Sequence, residues 1–249
     1  MLDFETEPLE NPVIKVVIPA RNEVDAIPKV IAEIPDYIDQ IIVADNGSTD
    51  GTAKAAQDAG AMTVYVAEPG YGRACLAAID AAGDCDIIVF LDGDASDYPE
   101  DMTEMLAPII AGEKDLMIGS RINKRIEKGS LTPQQMFGNR LACFLMKLFW
   151  GSTFTDLGPF RAIRSSALTQ LNMQAPTFGW TVEMQARALK QKIRYGEVAV
   201  RYRKRIGVSK ISGTVKGVIL AGYYILFTIF KEALTPRQKK RAAINQDSA

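Results

Sequence analysis

The sequence predicts an α/β protein, with a mostly parallel central sheet flanked by helices and a C-terminal amphipathic or apolar helix. Through the first 120 residues, short runs rich in Val and Ile alternate with helical stretches. Most of these runs lack polar alternation, which is typical of strands buried on both faces. A separate apolar run, GVILAGYYILFTIF at 217–230, contains no charged residue. At 249 residues the chain is long enough for one large domain or two small ones.

Five strand candidates precede the middle of the chain, at 13–19, 40–45, 62–67, 86–92 and 115–120. The stretches between them have helical patterns, at 23–34, 48–60, 72–83 and 99–112. Asp50 and Pro99 stand where helices begin, and a Gly ends each of the last three helical stretches. This alternation predicts a parallel sheet with helices on both faces.

The second half of the chain is less regular. Residues 121–135 have no clear period and are expected to form a loop. The segment 136–151 is helical, and one face of it carries several large apolar residues: Phe137, Leu141, Phe144, Leu145 and Leu148. A short strand at 160–164, a helix at 181–191 and a strand at 195–203 are expected to follow.

Charge is distributed unevenly along the chain, although the net charge is only −1. From Arg201 to Ala249 there are eleven Lys and Arg against two acidic residues. We therefore expect no nucleic-acid binding by the chain as a whole, and an anionic partner for its basic end. Histidine is absent, which excludes a histidine base, nucleophile or metal ligand. The three cysteines form no CxxC pair and are expected to be reduced thiols of a cytosolic protein.

The apolar run at 217–230 would reach about 21 Å as a helix, against a bilayer core of roughly 30 Å. Basic residues flank it on both sides. We expect residues 201–241 to meet a membrane surface, with the protein cytoplasmic and peripheral at the cytoplasmic face of a membrane. The alternative is a buried terminal helix. Residues 1–12 form an acidic extension without the apolar core of a secretory signal.

Polar or Gly-rich residues follow all five strands of the first half, at 19–23, 45–52, 68–73, 92–96 and 119–121. Ligand sites in open parallel sheets lie beyond the carboxyl ends of the strands. The five segments are therefore expected to converge on one site.

The acidic member of this set is Asp92-Gly93-Asp94. Two carboxylates with open positions suit Mg²⁺ or Mn²⁺ bound together with a substrate diphosphate. Such a metal would stabilise negative charge on a departing phosphate. A surface turn with helix-capping acids is the alternative, and we expect Asp97 to be a cap of that kind.

The start of the third helix, GYGRACLAAI, offers Gly70, Gly72 and Arg73 as a phosphate site. The segment lacks GxGxxG and does not follow the first strand, which argues against a Rossmann dinucleotide site. A simple turn with a helix cap explains these residues equally well.

Six motifs together resemble family 2 of the nucleotide-sugar-dependent glycosyltransferases, and within it the polyprenyl-phosphate (dolichyl-phosphate) sugar synthases. They are, in order, VVIPARNE, DNGSTDGT, FLDGDASDYPE, GSR, DLGPFRAIR and RIGVSK, within residues 14–211. The resemblance implies a GT-A fold and a catalytic domain over 13–211. Residues 212–249 then form the apolar helix and basic tail.

The resemblance also implies roles for single residues. The nucleotide would be bordered by Pro19, Arg21, Asn22 and Glu23, and its base read by Asp45. Metal ligands would be Asp92, Asp94 and, as a weaker third, Ser96. Arg121 would lie near the phosphates, and the donor diphosphate and acceptor phosphate would be covered by Arg205, Ser209 and Lys210. Asn46 stands where many members have Asp, and DLGPFR is one residue shorter than the usual motif, so the role of Asp156 stays open.

The acceptor follows from acid–base chemistry. A sugar hydroxyl needs a carboxylate base to be deprotonated, whereas a phosphate monoester is already anionic and needs cations to hold it. Cationic candidates near the cleft are Arg121, Arg125, Arg140, Arg203, Arg205 and Lys210. The apolar, basic-flanked tail is suited to meeting a lipid. With the nucleotide-diphosphate sugar donor that the resemblance implies, we therefore expect a lipid-phosphate acceptor and a direct displacement with inversion at the anomeric carbon. Glu183 and Asp156 are candidate bases if the acceptor is instead a hydroxyl.

Other classes remain as alternatives. A phosphatase of the haloacid dehalogenase type also has a DxD motif, but after its first strand. A nucleotidyltransferase needs a Gly-rich, basic loop after strand one, where this chain has PARNE. A non-catalytic nucleotide-sugar-binding membrane adaptor would bind the donor without transferring its sugar.

Overall fold

A computed structural model describes residues 7–207 and 215–236. Seven strands form one sheet in the order β3-β2-β1-β4-β6-β5-β7. Their bounds are β1 Ile14–Ala20, β2 Gln40–Asp45, β3 Met62–Tyr65, β4 Ile87–Phe90, β5 Leu116–Ser120, β6 Arg161–Arg164 and β7 Tyr195–Ala199. The helices are α1 Ile27–Ala32, α2 Thr52–Asp58, α3 Tyr71–Ala82, α4 Met102–Ile110, α5 Pro133–Trp150, α6 Ser165–Leu171, α7 Trp180–Gln191 and α8 Val215–Leu234. The predicted α/β class and all seven strands are confirmed.

The sheet is parallel except at β6, which pairs antiparallel with both β4 and β5. Strand β1 pairs in parallel with β2 on one side and with β4 on the other. The strand order therefore reverses between β1 and β4, where open α/β sheets place their ligands.

Each face of the sheet buries its own apolar cluster. Val17 and Ile42 point to the face covered by α3, α5 and α7, and Val16 and Val43 point to the face covered by α1 and α4. All four side chains are fully buried. Strands buried on both faces cannot alternate apolar with polar residues, which explains the continuous Val and Ile runs.

The loop expected over 121–135 ends earlier than predicted. Helix α5 begins at Pro133, after a capping box in which Thr132 and Gln135 exchange side-chain and backbone hydrogen bonds. A capping box fixes the first turn of a helix without any periodic pattern of apolar residues. The start of α5 could therefore not be located from hydrophobic periodicity.

Helix α8 has twenty residues, against the fourteen of the uncharged run from which its length was predicted. By length and composition Gly217–Leu234 could cross a membrane, and 17% of this segment is buried. The argument that the apolar segment is too short to span is therefore wrong. However, Glu232 on α8 forms ion pairs with Arg187 and Lys190 of α7 at 3.0 and 2.7 Å. These buried contacts hold α8 along the side of the domain.

Candidate active site

A cavity of about 420 Å³ lies at the carboxyl ends of β1 and β4. Its polar side carries three carboxylates and two guanidinium groups: Glu23, Asp92, Asp94, Arg21 and Arg205. The same cavity is bordered by Pro19, Asn46, Gly70 and Tyr71, and by Thr177, Phe178, Leu220 and Tyr224. The convergence of strand ends predicted from the sequence is therefore confirmed for the loops after β1, β2, β3 and β4.

Asp92 and Asp94 both face this cavity, and each is held by a neighbouring hydroxyl. The Tyr71 hydroxyl donates to Asp92 Oδ1 at 3.1 Å, and the Ser96 hydroxyl donates to Asp94 Oδ1 at 2.5 Å. Burial, followed by the negative charge of Asp94, raises the pKa of Asp92 to about 7. The two acids are thus fixed in direction and repel each other, an arrangement that a bound cation would relieve.

Ser96 is almost fully buried and does not border the cavity. Its backbone N–H also donates to Asp94 Oδ1, at 3.0 Å. The structure therefore places Ser96 behind Asp94, where it orients the carboxylate.

Arg205 spans the cavity between two carboxylates. Its Nη2 lies 2.7 Å from Glu23 Oε1 and its Nη1 lies 3.1 Å from Asp94 Oδ2. The guanidinium thus pairs with two of the three carboxylates that line the cavity. The two motif residues that follow it, Ser209 and Lys210, lie outside the described residues.

The expectation that Asp97 caps a helix is wrong. No side chain caps the short 3₁₀ turn Pro99–Asp101, and Asp97 instead forms an isolated β-bridge with Tyr202. Neither carboxylate oxygen of Asp97 has a hydrogen-bond partner among the residues that the structure describes. Burial, and then the charges of Asp92 and Asp94, raise the pKa of Asp97 well above its ordinary value.

Within the described ranges, no group of three or more Asp, Glu or Cys side chains is placed to hold a metal ion. Of the three carboxylates that line the cavity, Asp92 and Asp94 are two positions apart in sequence, and Glu23 pairs with Arg205. Two carboxylate ligands fit a hard divalent cation that takes its remaining ligands from a diphosphate and water, as Mg²⁺ commonly does. The donor set therefore fits a metal that arrives with its substrate, and not a permanently bound structural metal.

The loops after β1 and β2 are tied together beside the cavity. The Asn22 side chain accepts from Thr49 N at 2.8 Å, and Asn22 N donates to the Ser48 hydroxyl at 2.9 Å. Asp45 is buried and accepts from Ser48 N at 3.0 Å. Pro19 and Arg21 border the cavity, whereas Asn22 and Asp45 stand just behind it and shape its rim.

Asn46, the departure from the usual Asp, has a structural reason. Its amide nitrogen donates to Glu68 O at 2.9 Å and its amide oxygen accepts from Gly70 N at 2.7 Å. An aspartate could accept but not donate. Asn46 therefore fixes the loop between β3 and α3 against the cavity.

At the start of α3, Gly70 and Tyr71 border the cavity, whereas Gly72 packs against backbone. A Cβ added to Gly72 would lie 1.8 Å from the Ala175 carbonyl oxygen. Arg73 pairs with Glu68 at 3.0 Å, and its backbone N–H donates to Pro176 O. Neither Gly72 nor Arg73 borders the cavity, so the structure favours the turn-and-cap interpretation of this motif.

Arg121 and Asp156 form a closed pair. Arg121 Nε and Nη2 each donate to the Asp156 carboxylate at 2.8 Å, and Arg121 N donates at 2.7 Å. Burial acts to raise the pKa of Asp156, but the charge and hydrogen bonds of Arg121 outweigh it and hold the pKa below its ordinary value. Asp156 is fully buried, so it stays ionised and inaccessible to a substrate proton.

Glu183, the second candidate base, is also engaged. Its carboxylate accepts from Gln174 N and Ala175 N at 3.0 and 2.7 Å and pairs with Arg187 at 2.8 Å. It does not border the cavity. Its role is to hold the segment before α7.

The predicted cationic cluster is smaller than expected. Of its described members only Arg205 borders the cavity. Arg203 pairs with Glu33, Arg125 lies near Asp101 and Glu104, and Arg140 lies exposed on α5. These pairings join distant parts of the chain, so a count of basic residues could not foresee them.

The cavity also has an apolar part of its lining. Phe178 precedes α7, and Leu220 and Tyr224 lie on α8. The rings of Phe178 and Tyr224 are 6.4 Å apart, in an edge-to-face arrangement. Leu220 and Tyr224 are four residues apart, so the sequence already shows that they share one face of the helix. Only the packing of the helix shows that this face is directed toward the active site.

Comparisons with known proteins agree with this site. Residues 15–171 match the family described as Glycosyl transferase family 2. The chain is 31% identical to glycosyltransferase AglJ of Haloferax volcanii over 76% of its own length, but spans only 63% of that protein. It is 30% identical to the dolichyl-phosphate hexose transferase of the same organism, over 82% of this chain and 89% of that one.

Among solved structures, the fold is similar to glucosyl-3-phosphoglycerate synthase from Mycobacterium tuberculosis in complex with Mn²⁺, UDP and glucosyl-3-phosphoglycerate. The TM-score is 0.73 and the sequence identity 24%, over 90% of this chain and 81% of that one. At this identity the likeness supports the fold alone. With the sequence match covering more than half of the residues, and with a cavity at the β1–β4 switch point, the chain belongs to glycosyltransferase family 2.

Proposed function

We propose that this protein is a metal-dependent, inverting glycosyltransferase that moves a sugar from a nucleotide-diphosphate sugar to a polyprenyl phosphate. One observation carries the proposal. A single cavity is lined both by the charged side chains of Asp92, Asp94 and Arg205 and by Leu220 and Tyr224 of the apolar helix α8. Such a cavity can take a substrate that is anionic at one end and apolar at the other.

The donor would lie over the β1 and β2 loops, with its diphosphate toward Asp92 and Asp94. A bound Mg²⁺ or Mn²⁺ supplies Lewis acidity that stabilises the negative charge on the leaving diphosphate. Arg205 is the described cation nearest to these acids and would hold the diphosphate by charge-assisted hydrogen bonds. The presence of Mn²⁺ and UDP in the solved structure of similar fold supports this assignment.

The chemistry of the acceptor is argued from the positions of the two candidate bases. Both candidate bases, Asp156 and Glu183, are buried in ion pairs with arginines. A phosphate monoester needs no deprotonation, because it is anionic near neutral pH. Its oxygen forms the new bond to the anomeric carbon while the bond to the diphosphate breaks on the opposite face, and the nucleoside diphosphate leaves with that electron pair.

An anionic acceptor alone would not require a lipid. The solved structure of similar fold is of a synthase named for 3-phosphoglycerate, a small soluble anion. The apolar side chains Phe178, Leu220 and Tyr224 in this cavity favour a hydrocarbon chain instead. The similarity to a dolichyl-phosphate hexose transferase supports the same choice.

A lipid acceptor places the protein at a membrane. Helix α8 exposes large apolar residues and the chain from 201 to 241 is rich in Lys and Arg. We propose that this part of the chain meets the surface of an anionic bilayer, with the protein peripheral at its cytoplasmic face.

The proposal is tested by incubating the purified protein with Mn²⁺ and UDP- or GDP-sugars. Polyprenyl phosphate, phosphoglycerate and a prenyl alcohol are offered as acceptors, and products are identified by mass. We expect product from polyprenyl phosphate only, and none from Asp94→Ala. Transfer to the alcohol would indicate a hydroxyl acceptor, and full turnover by Asp94→Ala would refute the assignment of the metal site.

A further inference from the structure

Helix α5 turns its most apolar stripe away from the protein. Phe137, Phe144 and Leu148 are 69%, 61% and 66% exposed. The side that packs on the domain carries Ala142 and Met146, both fully buried. A helix of a soluble domain normally buries its most apolar stripe, so this orientation points to a second contact.

Helix α8 lies beside α5 and also exposes an apolar face. Its exposed apolar residues recur every three or four positions and therefore share one face: Ile219, Tyr223, Phe227, Phe230 and Leu234. The opposite face packs on the domain through buried Ile229 and Glu232. The two exposed faces adjoin, because Phe149 of α5 and Phe230 of α8 pack edge to face with ring centroids 5.7 Å apart.

We propose that α5 and α8 form one membrane-docking surface, with Phe137, Phe144 and Leu148 of α5 entering the bilayer interface together with α8. The inference deepens the proposed function and rests on it for the link to catalysis. The inference adds helix α5, which is far from the basic, apolar C-terminal region in sequence, as a second membrane-binding element.

Charge identifies an anionic bilayer as the occupant of this surface. Helix α5 contains no acidic residue, and Arg140 and Lys147 lie exposed beside its apolar stripe. Lys231 is likewise exposed on α8. Apolar and aromatic side chains bordered by cations are typical of helices that lie in the interface of a membrane with anionic lipids.

Docking through both helices would also orient the active site. Leu220 and Tyr224 lie on α8 and border the cavity, while Tyr223 on the same helix is 59% exposed. The cavity and the docking surface therefore share one helix. A lipid acceptor would have its chain at the bilayer and its phosphate near Arg205.

The test uses full-length protein and vesicles of phosphatidylcholine, with or without phosphatidylglycerol. The variant Phe137→Gln/Phe144→Gln/Leu148→Gln removes the α5 stripe and keeps good helix formers. We expect it to bind anionic vesicles roughly tenfold or more weakly than the wild type. Tyr65→Ser, an exposed aromatic residue on edge strand β3, is the matched control and is expected to bind unchanged.

Transfer to a short, water-soluble prenyl phosphate without vesicles separates this inference from the proposed function. We expect the triple variant to retain that activity, which also shows that it is folded. Wild-type vesicle affinity in the triple variant would overturn the membrane-docking surface even if transfer occurs. A wild-type dimer that the triple variant dissociates, with vesicle binding unchanged, would instead show that the surface pairs two copies and would also overturn the inference. Loss of vesicle binding in the variant, with no lipid phosphate accepted by the wild type, would refute the proposed function alone.

Discussion

Arg205 pairs with Asp94, one of the two proposed metal ligands, so its removal has an unusual expected result. Its Nη1 lies 3.1 Å from Asp94 Oδ2, the oxygen that the Ser96 hydrogen bonds leave open. A divalent metal binding at Asp94 must displace this guanidinium. We therefore expect Arg205→Gln to bind Mn²⁺ more tightly in the absence of donor, while its rate of sugar transfer falls.

The magnitude follows from the ion pair. Two unit charges 3.1 Å apart attract by about 5 kcal/mol at an effective dielectric constant of about 20. The Arg205 side chain is 27% exposed and also pairs with Glu23, and both reduce the cost of releasing Asp94. About 1–3 kcal/mol remains, which corresponds to a gain in Mn²⁺ affinity of roughly 5-fold to 160-fold.

Free Mn²⁺ is measured by electron paramagnetic resonance in a titration of the purified protein. The control is Lys204→Gln, which removes the same charge one residue away, where the side chain is 61% exposed and pairs with Glu127. We expect the control to change Mn²⁺ affinity by less than about threefold, because exposed pairs contribute little. Unchanged or weaker Mn²⁺ binding by a folded Arg205→Gln protein would refute the idea that this arginine competes with the metal.

Other substitutions test the supports of the site. Asp156→Asn leaves its buried arginine partner uncompensated and should lower the free energy of unfolding by about 3–5 kcal/mol, measured by denaturant titration; a change under about 1 kcal/mol would contradict this. Gly72→Ala meets a backbone oxygen at 1.8 Å and should cost about 1–3 kcal/mol, read as a lower melting temperature, whereas Gly138→Ala has open space on a helix and should not destabilise; equal melting temperatures would contradict the clash. Because burial and the neighbouring carboxylate raise the pKa of Asp92 to about 7, Mn²⁺ affinity should fall about tenfold per pH unit below about 7; a flat titration would contradict it. The raised pKa of Asp92 also predicts that the metal-free protein loses stability as pH rises from about 4 to about 7. Over that range the Asp92 carboxyl keeps its proton in the folded state but not in the unfolded state.

The sequence predicts the fold well because its rules are local. The apolar runs predicted the bounds of strands β1 to β5 to within two residues. The polar residues that follow these runs predicted the edge of the sheet at which the cavity lies. Strand β6 shows the limit. Its residues Arg161–Arg164 indicated a short strand, but its antiparallel insertion between β4 and β5 depends on pairings across more than forty residues.

Site residues divide in the same way. Asp92 and Asp94 could be found because they directly follow a buried strand. Asp97 was misassigned, because three residues of local sequence look like a helix start while its actual neighbour, Tyr202, is more than a hundred positions away. Tyr71 belongs to the motif GYGRACLAAI at the start of α3, but its hydrogen bond to Asp92 follows only from the packing of α3 on the sheet.

Helix α8 is the feature that favours a lipid phosphate over a small soluble phosphate as the acceptor. In the proposed function, the sheet, the acid pair and Arg205 would hold a nucleotide diphosphate and an attacking phosphate, whether that phosphate is soluble or carried by a lipid. Leu220 and Tyr224 add an apolar side to the site, and they lie on a helix whose other face exposes Tyr223 and Phe227. Because Glu232 fixes α8 to α7 through Arg187 and Lys190, that helix cannot leave the domain without exposing a buried carboxylate. In the proposed function, a contact between α8 and a membrane would therefore act directly on the geometry of the active site, as expected of an enzyme that transfers a sugar to a membrane-bound phosphate.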